Sequence, residues 1–417
     1  MMKRIPRAFI SVVLFLFSSG AYSQSLSQYR PAKVQRTFVP GLKDTMELEL
    51  LLPREMEMSA QRKYPVIYIF DRQNAVNYRY ILQTIDYLTG LGNMPPAMLV
   101  GVRFPSAKRT IWTIPAMDSG KGKADSLMNF LLGTYRKKLA SQYPLADFNL
   151  LLGHSRTAML ASWALAAYPD QVNAVIAASN SFFDFNTTSQ QQLFEQYIAR
   201  KETVPGRPQF FFFSSGTEAQ GDAHEASVAR LETYMQQKKF PSSFYWKCYR
   251  EPASHISTPG LTHARALNEL FSPTVLALQQ SFALLNKQEQ TDSIPWSAFR
   301  QLYNAAGRQL DLPLGPDITF YNSLANGYIN DYNEQFKDRK LVLSAWVLER
   351  GIQDFPGYPG FYSFLAAIKT EQGNKPSARQ LLQKGRQVLK SLKFVSESFR
   401  AEELAAIEEA EADLKSR

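Results

Sequence analysis

The 417-residue sequence contains one cysteine and four histidines, and each shortage removes a class of chemistry. A single thiol, Cys248, permits no internal disulfide, which excludes a small disulfide-stapled extracellular module. Within "FYWKCYR", Cys248 reads as a buried structural thiol rather than a nucleophile. The histidines show no H-x-H or H-E-x-x-H spacing, no cysteine pair exists, and no glycine-rich phosphate loop appears. No metal and no cofactor are therefore expected. Basic runs interleaved with aromatics are missing as well, so nucleic acid is not an expected partner. The apolar run Ala8–Phe17 is about half of the roughly twenty residues a membrane helix needs, so no stable membrane anchor is expected.

That run instead has the grammar of a secretory signal peptide. Lys3, Arg4 and Arg7 precede it, and the small residues Ala21 and Ser23 follow. The expectation is a signal peptide over 1–23, cleavage near Ser23–Gln24, and a periplasmic or secreted mature protein. Removing those three basic residues takes the formal charge from +10 to +7 (10 − 3). The excess reads as scattered solvated charge, or as a bias toward anionic surfaces or substrates.

The remaining length exceeds what one hydrophobic core usually supports and suggests two domains. "MELELLLP" (46–53) alternates like a half-buried strand. "PVIYIFD" (65–71), "AMLVGV" (97–102), "FNLLLG" (148–153), "VNAVIAAS" (172–179) and "PQFFFFSSG" (208–216) are short continuous apolar runs, the pattern of strands covered on both faces. "SSFYWKCYRE" (242–251) is a further strand candidate, and helical patterns over 74–88, 126–143, 158–169 and 225–239 alternate with these runs. Such alternation predicts an α/β fold: a doubly wound, mostly parallel sheet. Residues 182–207, rich in aromatics, read as a lid-like insertion. Beyond about residue 285 the strand signals stop. Residues 340–392 read as paired amphipathic helices, with Trp346 and Leu348 on one, Tyr362, Leu365 and Ala366 on the next, and Ala378, Leu381 and Leu382 after a Gly373–Asn374 turn. This region resembles a tetratricopeptide-type helix pair, with a fainter unit near 318–338 and a charged capping helix at the end. The expected layout is an α/β domain over 30–283 and a small all-α domain over 290–417, the latter a candidate surface for a protein partner.

The chemistry centres on "LLLGHSRTAML" (150–160), a strand, a tight turn at Ser155 and a helix of small residues. It resembles the G-x-S-x-G nucleophile elbow, with Thr157 in place of the last glycine. Serine hydrolysis needs a base, a carboxylate orienting that base, and donors for the developing oxyanion. Ser155 is the candidate nucleophile; the competing role is a helix N-cap. His255, in the loop after strand 242–251, is the candidate base, against a plain surface-loop histidine. His154 is expected to point away from the base, His224 opens a helix, and His263 lies on one. Glu218 is the first carboxylate after the strand 208–216 and the chosen acid, Asp222 is its rival, and Glu225 fits a first-turn carboxylate favoured by the helix dipole. The oxyanion donors are the backbone N–H of Arg156 and that of Arg72 or Gln73, although Asp71 and Asn74 read equally well as turn and cap residues. Arg156 is either a cation selecting anionic substrates or a solvated side chain.

With "VIYIFDRQN", "VGVRFPSAKRTIWTIP", the nucleophile strand, "AASNSFFD" and "ASHIS" in this order, the stretch from Val34 to Leu278 resembles the esterase family of α/β-hydrolases. That family includes enterochelin-type and feruloyl esterases and S-formylglutathione hydrolases. The resemblance implies a small-molecule ester substrate and hydrolysis through an acyl-enzyme. An acyltransferase with the same triad and an inactive scaffold that binds through its helical tail are the alternatives. Thr157 is the departure: a β-branched residue where glycine lets helix and strand approach, which places elbow packing in question.

Overall fold

The computed structural model describes residues 26–30, 32–59, 61–116, 120–180, 188–203, 206–217, 223–287, 294–330 and 337–416. The expected signal peptide, Glu218, Asp222 and the expected domain boundary at 283–290, in part, lie outside the described residues.

Eight strands form one sheet: β1 (Lys33–Val39), β2 (Asp44–Leu51), β3 (Tyr64–Ile69), β4 (Met98–Val102), β5 (Leu145–His154), β6 (Ala174–Ala178), β7 (Gln209–Ser215) and β8 (Phe244–Arg250). Their spatial order is β1-β2-β4-β3-β5-β6-β7-β8. β1 pairs antiparallel with β2, and β2 with β4, while every other pairing is parallel. Every residue of β3 is buried, and its successive side chains divide between two apolar clusters, Val66 and Tyr68 on one face and Ile67 and Ile69 on the other. A central strand with helices on both faces requires that continuous apolar run. β1 had no such signal: it is an edge strand whose residues are mostly exposed or half-buried, so "KVQRTFV" carries little apolar patterning.

The reading of 182–207 as a lid is corrected where the chain is described. Thr188–Thr203 is a helix, and Phe194, Tyr197 and Ile198, at helical spacing, are buried in the core beside Phe211 and Phe244 of the sheet. An apolar stripe at i, i+3 and i+4 buries against its own sheet rather than standing over a cleft.

After the sheet come the helices Ser272–Lys287, Trp296–Leu310, Ile318–Asn330, Lys337–Asp354, Pro359–Glu371, Lys375–Ser391 and Glu397–Ser416, most of them around a third apolar cluster. The expected turn is present: Gly373 adopts φ 76°, and the Asn374 side chain accepts from Ser377 N at 3.2 Å to cap the next helix. Leu348, Leu365, Ala366, Ala378 and Leu382 are buried as expected, but Trp346 is 41% exposed and the neighbouring Val347 takes the core position. The helices rest on the β2–β3 connection. Met58 joins their core, the Glu57 carboxylate accepts from Lys393 N and Phe394 N at 2.9 and 3.2 Å, and Arg62 donates to Gly315 O at 3.0 Å.

Candidate active site

Three parallel strands, β3, β5 and β6, lie side by side and end on one rim of the sheet. The residue after β5 is Ser155, held at φ 55° and ψ −118°. A non-glycine residue in that region stores on the order of 1–3 kcal/mol and persists only when its surroundings dictate it. Two contacts do so. Ser155 N donates to Ala178 O of β6 at 2.9 Å, and Met159 N to Ser155 O at 3.1 Å. The helix Arg156–Ala167 starts at once and so brings its backbone against the strand: a Cβ on Gly153 would sit 2.3 Å from Thr157 O. The glycine this elbow needs for close approach is therefore Gly153, and Thr157 is accommodated fully buried. The Ser155 side chain makes no cap hydrogen bond to its helix, so the N-cap role is not what places a serine here.

The histidines converge. His255 lies in the loop between β8 and the helix Thr258–Leu270, and that loop is tied to the end of β7 because Thr217 N donates to Ala253 O at 2.7 Å. His255 Nδ1 is 2.9 Å from the hydroxyl of Ser179, the residue that follows β6 and adopts φ 51°. Its ring lies 4.8 Å from that of His154 and 4.5 Å from that of His224, centroid to centroid. The expectation that His154 points away is thus corrected: its Nε2 is 2.7 Å from the His255 carbonyl oxygen. A carbonyl only accepts, so His154 carries its proton on Nε2. Burial lowers the His154 pKa to about 4 and that of His263, beneath the elbow with Nε2 3.4 Å from Gly153 O, to about 3; both rings are neutral near pH 7. Ser179 was not singled out from the sequence, although a serine that ends an apolar strand in "VIAASNS" was an available signal; His224 was read only as opening a helix, and its approach to His255 was not expected.

The loop after β3 supplies the third side. Asp71, at φ 61°, accepts a bidentate pair from Arg109, Nε to Oδ1 at 2.7 Å and Nη2 to Oδ2 at 2.6 Å. Gln73 Nε2 also donates to Asp71 Oδ1 at 2.7 Å, and Thr157 Oγ1 to Oδ2 at 2.7 Å. Asn74 accepts from Asn77 N at 3.4 Å and caps the helix Ala75–Gly90. Arg72 is corrected as an oxyanion donor: its N–H is committed to Val102 O of β4 at 3.0 Å, and its guanidinium to Glu47 and Glu49. Gln73 N and Arg156 N donate to no acceptor among the described residues. A cleft of about 280 Å³ opens here between Asp71, Gln73, Asn77, His154 and Pro259. Among the described residues no group of side chains has the geometry to hold a metal ion, and no helix is long and apolar enough to cross a membrane.

Ser155, His255 and Arg156 are therefore gathered on one rim. The Ser155 hydroxyl makes no hydrogen bond to His255 or to any other described residue, a separation common before substrate binds. Glu225, the carboxylate assigned to a helix start, is exposed in the first turn of Ala223–Gln236.

Comparison with known proteins bears on the same rim. A family model described as "Putative esterase" matches residues 40–255, which spans β2 to the His255 loop. No curated protein sequence matches the chain. Among solved structures the fold is similar to an IroE-like serine hydrolase from Shewanella oneidensis, at 16% identity and TM-score 0.57 over 75% of this chain and 98% of that one. It is also similar to an uncharacterised protein from Capnocytophaga ochracea, at 14% identity and TM-score 0.54 over 90% of this chain and 99% of that one.

Proposed function

The chain belongs to this esterase family, and from that premise we propose that it is an exported serine hydrolase that cleaves a carboxylic ester of a small molecule. Ser155 Oγ attacks the ester carbonyl, and His255 takes the hydroxyl proton on Nε2. That tautomer requires the proton of the neutral ring on Nδ1, the nitrogen beside Ser179 Oγ. The carbonyl oxygen, negative in the tetrahedral intermediate, is received by the amides of Arg156 and Gln73, at the positive end of the helix Arg156–Ala167. His255 then protonates the departing alcohol and activates a water that frees Ser155. Glu218 orients His255, with Asp222 as the rival carboxylate; the chain reaches both from Thr217, which is bonded to the His255 loop. Residues 1–23 direct export to a periplasmic or extracellular space.

The observation that carries the reading is Ser155 itself: a serine in left-handed backbone, at the end of a central strand, whose hydroxyl caps nothing. Steady-state hydrolysis of short p-nitrophenyl esters by the mature protein tests it. Turnover is expected in wild type and lost in Ser155→Ala, and equal turnover by a folded Ser155→Ala protein overturns the assignment. In the same assay Glu218→Gln is expected to cripple turnover and Asp222→Asn to spare it. The reverse pattern moves the acid to Asp222.

A further inference from the structure

We propose that Thr157, which stands where the elbow pattern has its last glycine, is a positioning residue: its hydroxyl ties the elbow to the loop after β3 and so fixes the Arg156 and Gln73 amides relative to each other. The proposal rests on the serine-hydrolase reading and deepens it.

Thr157 Oγ1 has one proton and two lone pairs. It accepts from His154 N at 3.0 Å, which closes the turn around Ser155 from the strand side. Its proton has two acceptors in reach, His154 O at 3.0 Å and Asp71 Oδ2 at 2.7 Å. The nearer acceptor belongs to a carboxylate, and hydrogen bonds to ionised oxygens are the stronger kind. Asp71 in turn collects Arg109 and the Gln73 side chain, and Gln73 Oε1 accepts from Phe104 N at 3.0 Å. Arg109 neutralises the half-buried carboxylate, so its place beside the elbow leaves no unpaired charge. A chain of hydrogen bonds thus runs from the backbone of His154 through Thr157 and Asp71 to Gln73. Arg156, next to Thr157, and Gln73 have amides with no described acceptor, and they belong to the two segments that this chain joins. A glycine at 157 removes this strut; a valine keeps its volume and deletes its hydrogen bonds.

The test compares full-length wild type, Thr157→Val, Thr157→Ser, Asp71→Asn and the Thr157→Val/Asp71→Asn double variant, each checked for folding by circular dichroism. Their kcat and KM for p-nitrophenyl acetate and their rates of labelling by a fluorophosphonate are measured. Thr157→Val is expected to lower kcat by roughly ten- to hundredfold, with KM changed less than about twofold, because a lost bond to a charged group acts on preorganisation. Thr157→Ser, which keeps the hydroxyl, is expected to recover most of the rate. The double variant is expected to be no slower than the worse single variant, as for residues acting through one network. A folded Thr157→Val with wild-type kcat, or losses that multiply in the double variant, overturns the coupling while the serine assignment stands. Should Thr157→Val not fold, Asp71→Asn with wild-type kcat overturns the coupling in its place. A wild type that neither hydrolyses nor labels overturns both.

Discussion

The sheet rim and the helical region treat backbone strain differently. Among the described residues five non-glycine positions have positive φ, and three of them, Asp71, Ser155 and Ser179, follow the neighbouring strands β3, β5 and β6. In the helical region the corresponding positions are ordinary helix ends. Asp311 is a left-handed C-cap at φ 54°, and a glycine, Gly373, takes the other turn. Glycine would relieve the strain at each rim position, yet the rim carries two serines and an aspartate, each with a side chain or backbone group tied to another rim element. Positive φ at isolated turns and helix ends, as at Lys43 and Asp311, is ordinary; three such polar residues at the ends of three neighbouring strands are a cluster, and clustered strain of this kind is what the proposed chemistry at the rim accounts for.

The largest effect expected from breaking this contrast is chemical. His255→Asn is expected to lower ester turnover by about 10²- to 10⁴-fold, the usual contribution of a general base, with the fold intact by circular dichroism; a change under tenfold removes His255 from the mechanism. Next is Gly153→Ala. Its Cβ must displace Thr157 O from 2.3 Å, so thermal unfolding is expected to show a loss of about 3 kcal/mol, the upper range for overpacking, together with reduced turnover.

The helical region offers a pH-dependent counterpart. Burial raises the Glu403 carboxyl to about 7, partly offset by Arg54, from an ordinary 4.5. The folded state holds this proton more tightly than the unfolded chain does. The resulting stabilisation is complete below about pH 4.5 and is lost as pH rises through about 7. Glu403→Gln is expected to flatten that part of the stability–pH curve and to raise stability at pH 8 by on the order of 2 kcal/mol, without changing ester turnover; an unaltered curve assigns the dependence elsewhere. The smallest effect is Gly327→Ala. An added Cβ on this exposed helical glycine meets nothing within 4 Å, so a gain of roughly 1 kcal/mol is expected from helix propensity. Gly153→Ala and Gly327→Ala thus carry opposite signs, and equal signs would erase the distinction between the two regions.

What the sequence disclosed divides along the same line. Strands β2 to β8 were legible because a covered strand must be apolar along its length or on one face, and "VIYIF" or "FFFF" has few other uses. β1 was not, since an edge strand is defined by its partner. That Ser155 and His255 would come to one rim was expected from their order along the chain, and both lie beside the end of β6. The direction of His154, the Ser179 contact and the strut through Thr157 depend on which loops meet above the sheet, and no local pattern encodes that. Arg72 failed as a donor for a similar reason: whether an amide is free depends on a neighbouring strand, here β4. In the helical region spacing located the buried face, but with Trp346 and Val347 adjacent it could not choose which turns inward.

The central claim is that Ser155 is a working nucleophile. The most direct measurement is intact-mass analysis of the mature protein after reaction with a fluorophosphonate probe, with peptide mapping, beside Ser155→Ala. One adduct per chain, located on Ser155 and missing from the variant, is the predicted result. A folded wild type that takes up no probe, or a variant that takes up as much, would contradict the account.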